Sequence, residues 1–163
     1  MIELRAFKTS DTDLLVSYLN SPEVTRYITS AIAQPYTERD AQWWVEEGSE
    51  LVHAKAIDFN GTLVGCISAK VGEFEYNRSA ELGYWVARQY WNKGIASEAV
   101  KLFGDSLFST TEINRLFVSV VAENAASLRV LEKNAYTTEG THRQASFKPG
   151  RYFDEHCLAK LRG

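Results

Sequence analysis

Cysteine is scarce in this chain of 163 residues: only Cys66 and Cys157 occur, with no Cys-x-x-Cys pair and no histidine nearby except His156 beside Cys157. That spacing gives no support to a structural zinc site, and two buried free thiols in a reducing cytoplasm is the plain reading. No apolar run approaches the ~20 residues of a membrane-spanning helix. The opening Met1-Ile2-Glu3-Leu4-Arg5 is not a long apolar stretch either, so a soluble, cytoplasmic protein is expected. Excess positive charge is also missing, with 18 Lys and Arg against 21 Asp and Glu and a formal charge of −3. A protein that binds nucleic acid non-specifically needs a basic surface to displace counterions, which argues against that class. A mildly acidic surface suits a cationic substrate instead. His53, His142 and His156 have no companion carboxylates at catalytic or metal spacing, so no metal site is assigned. No repeat, linker or low-complexity segment interrupts the chain, and its length suits one well-cored domain over residues 1–163.

What is present alternates between two periods. Ile2, Leu4 and Phe7 suggest a short first strand. Ser10 reads as a helix N-cap with Asp13 three residues on as its capping-box partner, followed by Leu14, Leu15, Tyr18 and Leu19 on one face. Ser21-Pro22-Glu23 restarts a short helix with Pro at its first position, and Thr37-Glu38-Arg39-Asp40 opens a third with Ala41, Trp44 and Val45 inward. Thr29 to Tyr36 has no period and suits a pocket-lining loop. Leu51 to Val71 reads as strands joined by Asn60-Gly61, a dipeptide in which both residues accept positive φ. Ser79 to Ala87 is a further strand, Gly94 to about Phe108 a helix, Arg115 to Val121 a buried strand, and Asn124 the cap of a helix ending near Asn134. Two extended stretches, Tyr136 to Phe147 and Tyr152 to Leu161, flank a turn at Lys148-Pro149-Gly150-Arg151. The order describes a mixed α/β (α+β) domain with hairpins, not a doubly wound parallel sheet.

The stretch Tyr90-Trp91-Asn92-Lys93-Gly94-Ile95-Ala96 connects strand to helix. A loop of this kind leaves backbone N–H groups pointing outward at the positive end of a helix dipole, where an anion such as phosphate is favoured. It has neither the Gly-x-x-x-x-Gly-Lys-Ser/Thr nor the Gly-x-Gly-x-x-Gly spacing. By itself it is equally an ordinary helix start.

Other residues in the same order resemble the GNAT N-acetyltransferases, in particular the RimJ/RimL-type branch of ribosomal-protein N-terminal acetyltransferases. The likeness rests on Leu4-Arg5-Ala6-Phe7 with Asp11, Tyr36-Thr37 before Trp43-Trp44, Glu81-Leu82-Gly83-Tyr84-Trp85, the Tyr90 to Ala99 stretch, and Asn124-Ala125-Ala126-Ser127 running on to Tyr136. In that family the pyrophosphate loop follows Arg/Gln-x-x-Gly-x-Gly/Ala. Here Trp91 takes the first position and Asn92 the second, and Asn134 stands where Gly commonly ends the later helix. The resemblance implies a mostly antiparallel central sheet of about seven strands, splayed between the fourth and fifth and flanked by four or more helices. It also implies acetyl-CoA as cosubstrate, with the diphosphate on the amides of Asn92, Lys93, Gly94, Ile95, Ala96 and Ser97, and the pantetheine arm along Trp85, Val86 and Ala87.

An amine attacking a thioester must first lose a proton. Glu81, in an otherwise apolar strand, is the candidate base if partly desolvated; a solvated or Arg-paired carboxylate is the alternative. Asn124 and Ser127 stand at i and i+3 around a helix start. The resemblance places them against the cofactor, Asn124 bonding it and Ser127 serving the leaving sulfur, while an N-cap and a small exposed helix residue is the other reading. The acceptor is an amine, either a peptide N-terminus or a small molecule. A CoA-binding sensor or interaction module without transferase activity is the competing class of function, and the final strand pair offers an edge for a homodimer.

Overall fold

The chain begins with a charge network that fixes how its first strand meets its first helix. A computed structural model describes residues 1–163. In it β1 (Ile2–Arg5) pairs antiparallel with β2 (His53–Phe59), bringing Arg5 opposite Ala56 and Glu3 opposite Asp58. The Arg5 guanidinium donates two bonds to Asp11, at 2.8 and 2.9 Å, and one to Asp58 at 2.7 Å. Both carboxylates are buried, with side-chain exposures of 5% and 7%. Two carboxylates out of water are tolerable only with such charge-assisted partners.

This network overrides the helix start expected at Ser10. Asp11, drawn in by Arg5, also accepts the Lys8 N–H at 2.8 Å, so residues Thr9–Asp11 form a 3-10 turn. Helix α1 (Thr12–Leu19) follows, with Asp11 and not Ser10 at its N-cap position. Helix α2 (Pro22–Thr25) has Pro at its start. Helix α3 (Glu38–Glu46) is capped as its sequence indicates: Thr37 Oγ1 accepts the Asp40 N–H, and the Asp40 carboxylate accepts the Thr37 N–H at 2.8 Å. The Thr37 N–H foremost, and then the Thr37 hydroxyl, which donates to the same carboxylate at 2.8 Å, hold the Asp40 carboxyl below its ordinary pKa.

Strand β2 turns into β3 (Thr62–Val71) through Asn60 and Gly61, at φ 53 and 88. Asp58 supports the turn by accepting the Gly61 N–H at 2.7 Å. The sheet continues with β4 (Ser79–Val86), β5 (Arg115–Val121), β6 (Thr137–Lys148) and β7 (Arg151–Leu161) in the order β1-β2-β3-β4-β5-β7-β6. It is the mostly antiparallel seven-stranded sheet expected, with β4 and β5 parallel. Their ladder is only three residues long, Ser79–Glu81 against Arg115–Phe117, as the expected splay requires. Helices α4 (Ile95–Thr110) and α5 (Ala125–Lys133) complete the set; α4 runs two residues beyond its expected end.

Contacts group the chain into two units, residues 1–68 with 84–99, and residues 69–83 with 100–163. The first has its core among α1, α2, α3 and the strand ends: Leu15, Tyr18, Leu19, Val24, Tyr36, Ala41, Ala56, Leu63 and Ala87. Of the two tryptophans of α3, Trp44 packs edge-on to Phe7 while Trp43 is exposed. In the second unit Phe103 and Leu107 of α4, Leu116 and Val120 of β5, Leu131 and Leu158 are buried. Strand β7 pairs with β5 from Arg115↔Leu161 to Val121↔Glu155, leaving β6 outermost. That edge carries two register shifts, at Thr138/Gly140 and His142/Ser146, and Gln144 sits at φ 49. Bulges of this kind bend an edge away from the flat geometry that strand addition needs.

The Arg5 network carries an acid signature. Burial pushes the Asp58 carboxyl up, but the bonds from Arg5 and the Gly61 N–H outweigh it, and the group lies below its usual pKa. A carboxylate depressed on folding stabilises above the unfolded value of about 3.9 and loses that contribution as pH falls through the folded value. Arg5→Met is therefore expected to cost about 3 kcal/mol at pH 7, since it strands two buried charges. In urea unfolding the deficit should narrow near pH 3.5 (about the unfolded carboxylate value), and an equal deficit at both pH values would rule out charge pairing as Arg5's contribution.

Candidate active site

The candidate residues of the first unit lie at the end of β4. There the Trp85 carbonyl approaches β3 so closely that a Cβ on Gly65 would stand 2.3 Å from it and 3.1 Å from the Val86 Cα. Only glycine allows that approach. Beyond it the backbone is fully engaged: Ala87 N–H donates to Val64 O at 2.8 Å, and Ala87 O accepts the Tyr90 N–H at 2.9 Å. Of the three residues expected along a pantetheine arm, Ala87 thus has its N–H committed within the fold. Trp85 packs edge-on to Tyr18, whose hydroxyl donates to Leu63 O. Burial foremost, with Tyr90 beside it, pushes the Tyr18 phenol up to about 12.

After a 3-10 turn at Arg88–Tyr90, the loop takes the backbone form that its composition suggests. Asn92 is left-handed at φ 60 and Gly94 at φ 75. The Gly94 carbonyl accepts the Glu98 N–H at 3.1 Å, so α4 starts at Ile95 and runs for 16 residues. First-turn amides of a helix, here including those of Ile95 and Ala96, have no intrahelical acceptor and sit at the positive end of its dipole. Asn92, Lys93 and Gly94 are exposed, Ala96 and Ser97 half-buried and Ile95 buried. A Cβ built on Gly94 meets nothing within 4 Å, and no acidic residue occurs from Trp91 to Ser97. The space beside Gly94 is open, and the loop itself carries no acidic side chain.

The second unit holds Glu81, Asn124 and Ser127. Glu81 is opposite Phe117 at the last rung of the β4–β5 ladder, between buried Ala80 and Leu82, and it is exposed. Partial desolvation of its carboxylate is therefore not found, because strand alternation turns it to the solvated face. Asn124 caps α5 as expected: its Oδ1 accepts the Ser127 N–H at 3.3 Å, and both residues are half-buried. The far end of α5 differs from expectation. Asn134 is the C-cap at φ −97, and the left-handed residue is Ala135 at φ 65. Tyr136 N–H donates to Leu131 O and Ala135 N–H to Glu132 O, a Schellman motif displaced by one residue from the one expected. The buried Asn134 side chain is spent on Val130 O at 2.9 Å.

Residues 2–137 match the acetyltransferase (GNAT) domain family. The chain belongs to that family. It is 29% identical over 169 residues to the N-acetyltransferase p20 of Bacillus licheniformis, covering 99% of this chain and 93% of the relative. It is 29% identical over 99 residues to the ribosomal-protein-serine acetyltransferase of Escherichia coli, covering 61% of this chain and 55% of that protein. Among solved structures, RimL, a ribosomal alpha-N-protein acetyltransferase in complex with coenzyme A, superposes with a TM-score of 0.85 at 23% identity, covering 98% of this chain and 93% of that one. The acetyltransferase thus has the GNAT fold, and it is an N-acetyltransferase. No cluster of three or more His, Cys, Asp or Glu side chains could hold a metal ion, and no helix is long and apolar enough to cross a membrane.

The sequence carries a signal for Gly65 that sequence reasoning did not use: an isolated glycine inside an apolar strand marks close backbone approach. Gly65→Ala is expected to push the Trp85 carbonyl away, costing about 1–3 kcal/mol. Urea unfolding measures the loss, and a wild-type midpoint would show that the end of β4 tolerates displacement.

Proposed function

We propose that the acetyltransferase moves an acetyl group from acetyl-CoA to a primary amine by direct attack in a ternary complex, within one catalytic domain spanning residues 1–163. The observation that carries this reading is the loop with Asn92 and Gly94 both left-handed at the start of a 16-residue helix, in a chain of the N-acetyltransferase family. With no acidic side chain of its own, that loop fits a diphosphate, which the amides from Asn92 to Ser97 would receive. Trp85 and Val86, with Ala87 as the anchored end of the strand, would line the pantetheine arm. Bound there, acetyl-CoA supplies a thioester carbonyl open to nucleophilic attack.

Glu81 accepts the proton of the incoming ammonium, directly or through water. Ser127 donates a proton or hydrogen bond at the sulfur, and Asn124 orients that end of α5 while bonding the cofactor. The ribosomal-protein-serine acetyltransferase among the relatives supports a peptide N-terminus as acceptor, and small-molecule amines share the same chemistry.

A labelled acetyl-CoA screen against peptide and small-amine libraries identifies the acceptor and then serves the variants. Ser127→Ala is expected to lower kcat about 10²-fold while leaving acetyl-CoA affinity near wild type; undiminished turnover would remove Ser127 from the chemistry. Glu81→Gln should flatten the basic rise of the pH–rate profile. A profile identical to wild type assigns the base duty to another group.

A further inference from the structure

The first position of the pyrophosphate loop motif, Trp91, has a side chain with two engagements. Its indole N–H donates to the Val86 carbonyl at 2.7 Å, tying the loop back to the end of β4. Its ring lies under the guanidinium of Arg88, 4.8 Å from the centroid. Arg88 is exposed, and no carboxylate lies within ion-pair distance of it. Glu23 lies within its electrostatic reach, but that carboxylate accepts the Ser21 hydroxyl at 2.9 Å. A flexible arginine with no partner ordinarily samples many rotamers, whereas one held on an indole face keeps its donor fork in a fixed place. Here that place is the indole of Trp91, the residue directly before the left-handed Asn92.

Resting on the functional reading above, we propose that Arg88 is a phosphate-directed cation of the coenzyme A seat and that Trp91 is its positioning residue. Trp91 acts twice, through the stack that aims Arg88 and through the N–H that fixes the loop on Val86. The pair restores to the loop a positive charge that Trp91 removes from the motif's first position. It adds a side-chain contribution to the backbone amides of Asn92 to Ser97 expected to hold the diphosphate.

Calorimetric titration of the full chain with coenzyme A, at low and at high salt, tests this. Arg88→Gln is expected to weaken binding about tenfold at low salt and to flatten its salt dependence, with Arg88→Lys recovering part of both. Trp91→Phe keeps a ring under Arg88 but loses the donor, so affinity falls while the salt dependence stays. Arg88→Gln binding like wild type at low salt overturns the cation, Trp91→Phe binding like wild type overturns the role of the indole N–H, and Trp91→Leu with wild-type affinity and salt dependence overturns the stack. A wild-type chain that binds no coenzyme A overturns the cofactor reading itself and the Arg88 assignment with it. Unfolding midpoints at the wild-type value in these variants show that the losses are not losses of fold.

Discussion

One backbone contact sets the geometry of the first unit: the Trp85 carbonyl occupies the space that a side chain on Gly65 would need. Because β4 comes so close to β3 there, Ala87 can donate to Val64 and receive Tyr90, and the chain leaves the sheet in a 3-10 turn. That turn delivers Trp91 back to the Val86 carbonyl. Only then can Asn92 and Gly94 take left-handed conformations and release α4 with its first-turn amides outward. The anion-receptive loop is thus the last link of a chain of backbone commitments, each a modest bond of about 1 kcal/mol net. Their value lies in fixing geometry more than in adding stability.

Charges are used differently in the two units. In the first, Arg5 serves two buried carboxylates at once, and its own pKa is raised, chiefly by Asp11, against the opposing effect of burial. In the second, the ion pairs are more exposed. Arg115 reaches Glu139 with two bonds of 2.8 and 2.6 Å, and the side-chain exposures there are 29% and 43%. Exposed pairs of that kind contribute little, so the second unit depends on apolar packing around Leu116, Leu131 and Leu158, all fully buried. Cys66 belongs to the same logic: burial alone pushes its thiol up to about 12, which makes it a packing residue and not a nucleophile.

Much of the site was legible because its signals are local. Asn60-Gly61, the Thr37/Asp40 capping box, Asn124 as a helix cap and the tolerance of Asn92 for positive φ each depend on residues within four positions of one another. The misreadings involve partners that are distant in sequence or competing claims on one side chain. Asp11 is taken by Arg5, which shifts the start of α1. Asn134 turns its amide to Val130 and leaves the left-handed position to Ala135, although Ala accepts it less readily. Glu81 looks buried from its apolar neighbours, yet alternation along β4 puts it in solvent.

The sequence by itself determined the element order, the turn chemistry, the family and the anion-receptive character of the loop, since periodicity, capping and left-handed tolerance are properties of neighbouring residues. Tertiary structure alone decided which backbone groups at the end of β4 are already spent, why residue 65 must be glycine, and where the Arg88 guanidinium is held. Those outcomes depend on contacts between strand ends and side chains whose distance in space is not encoded in any local pattern.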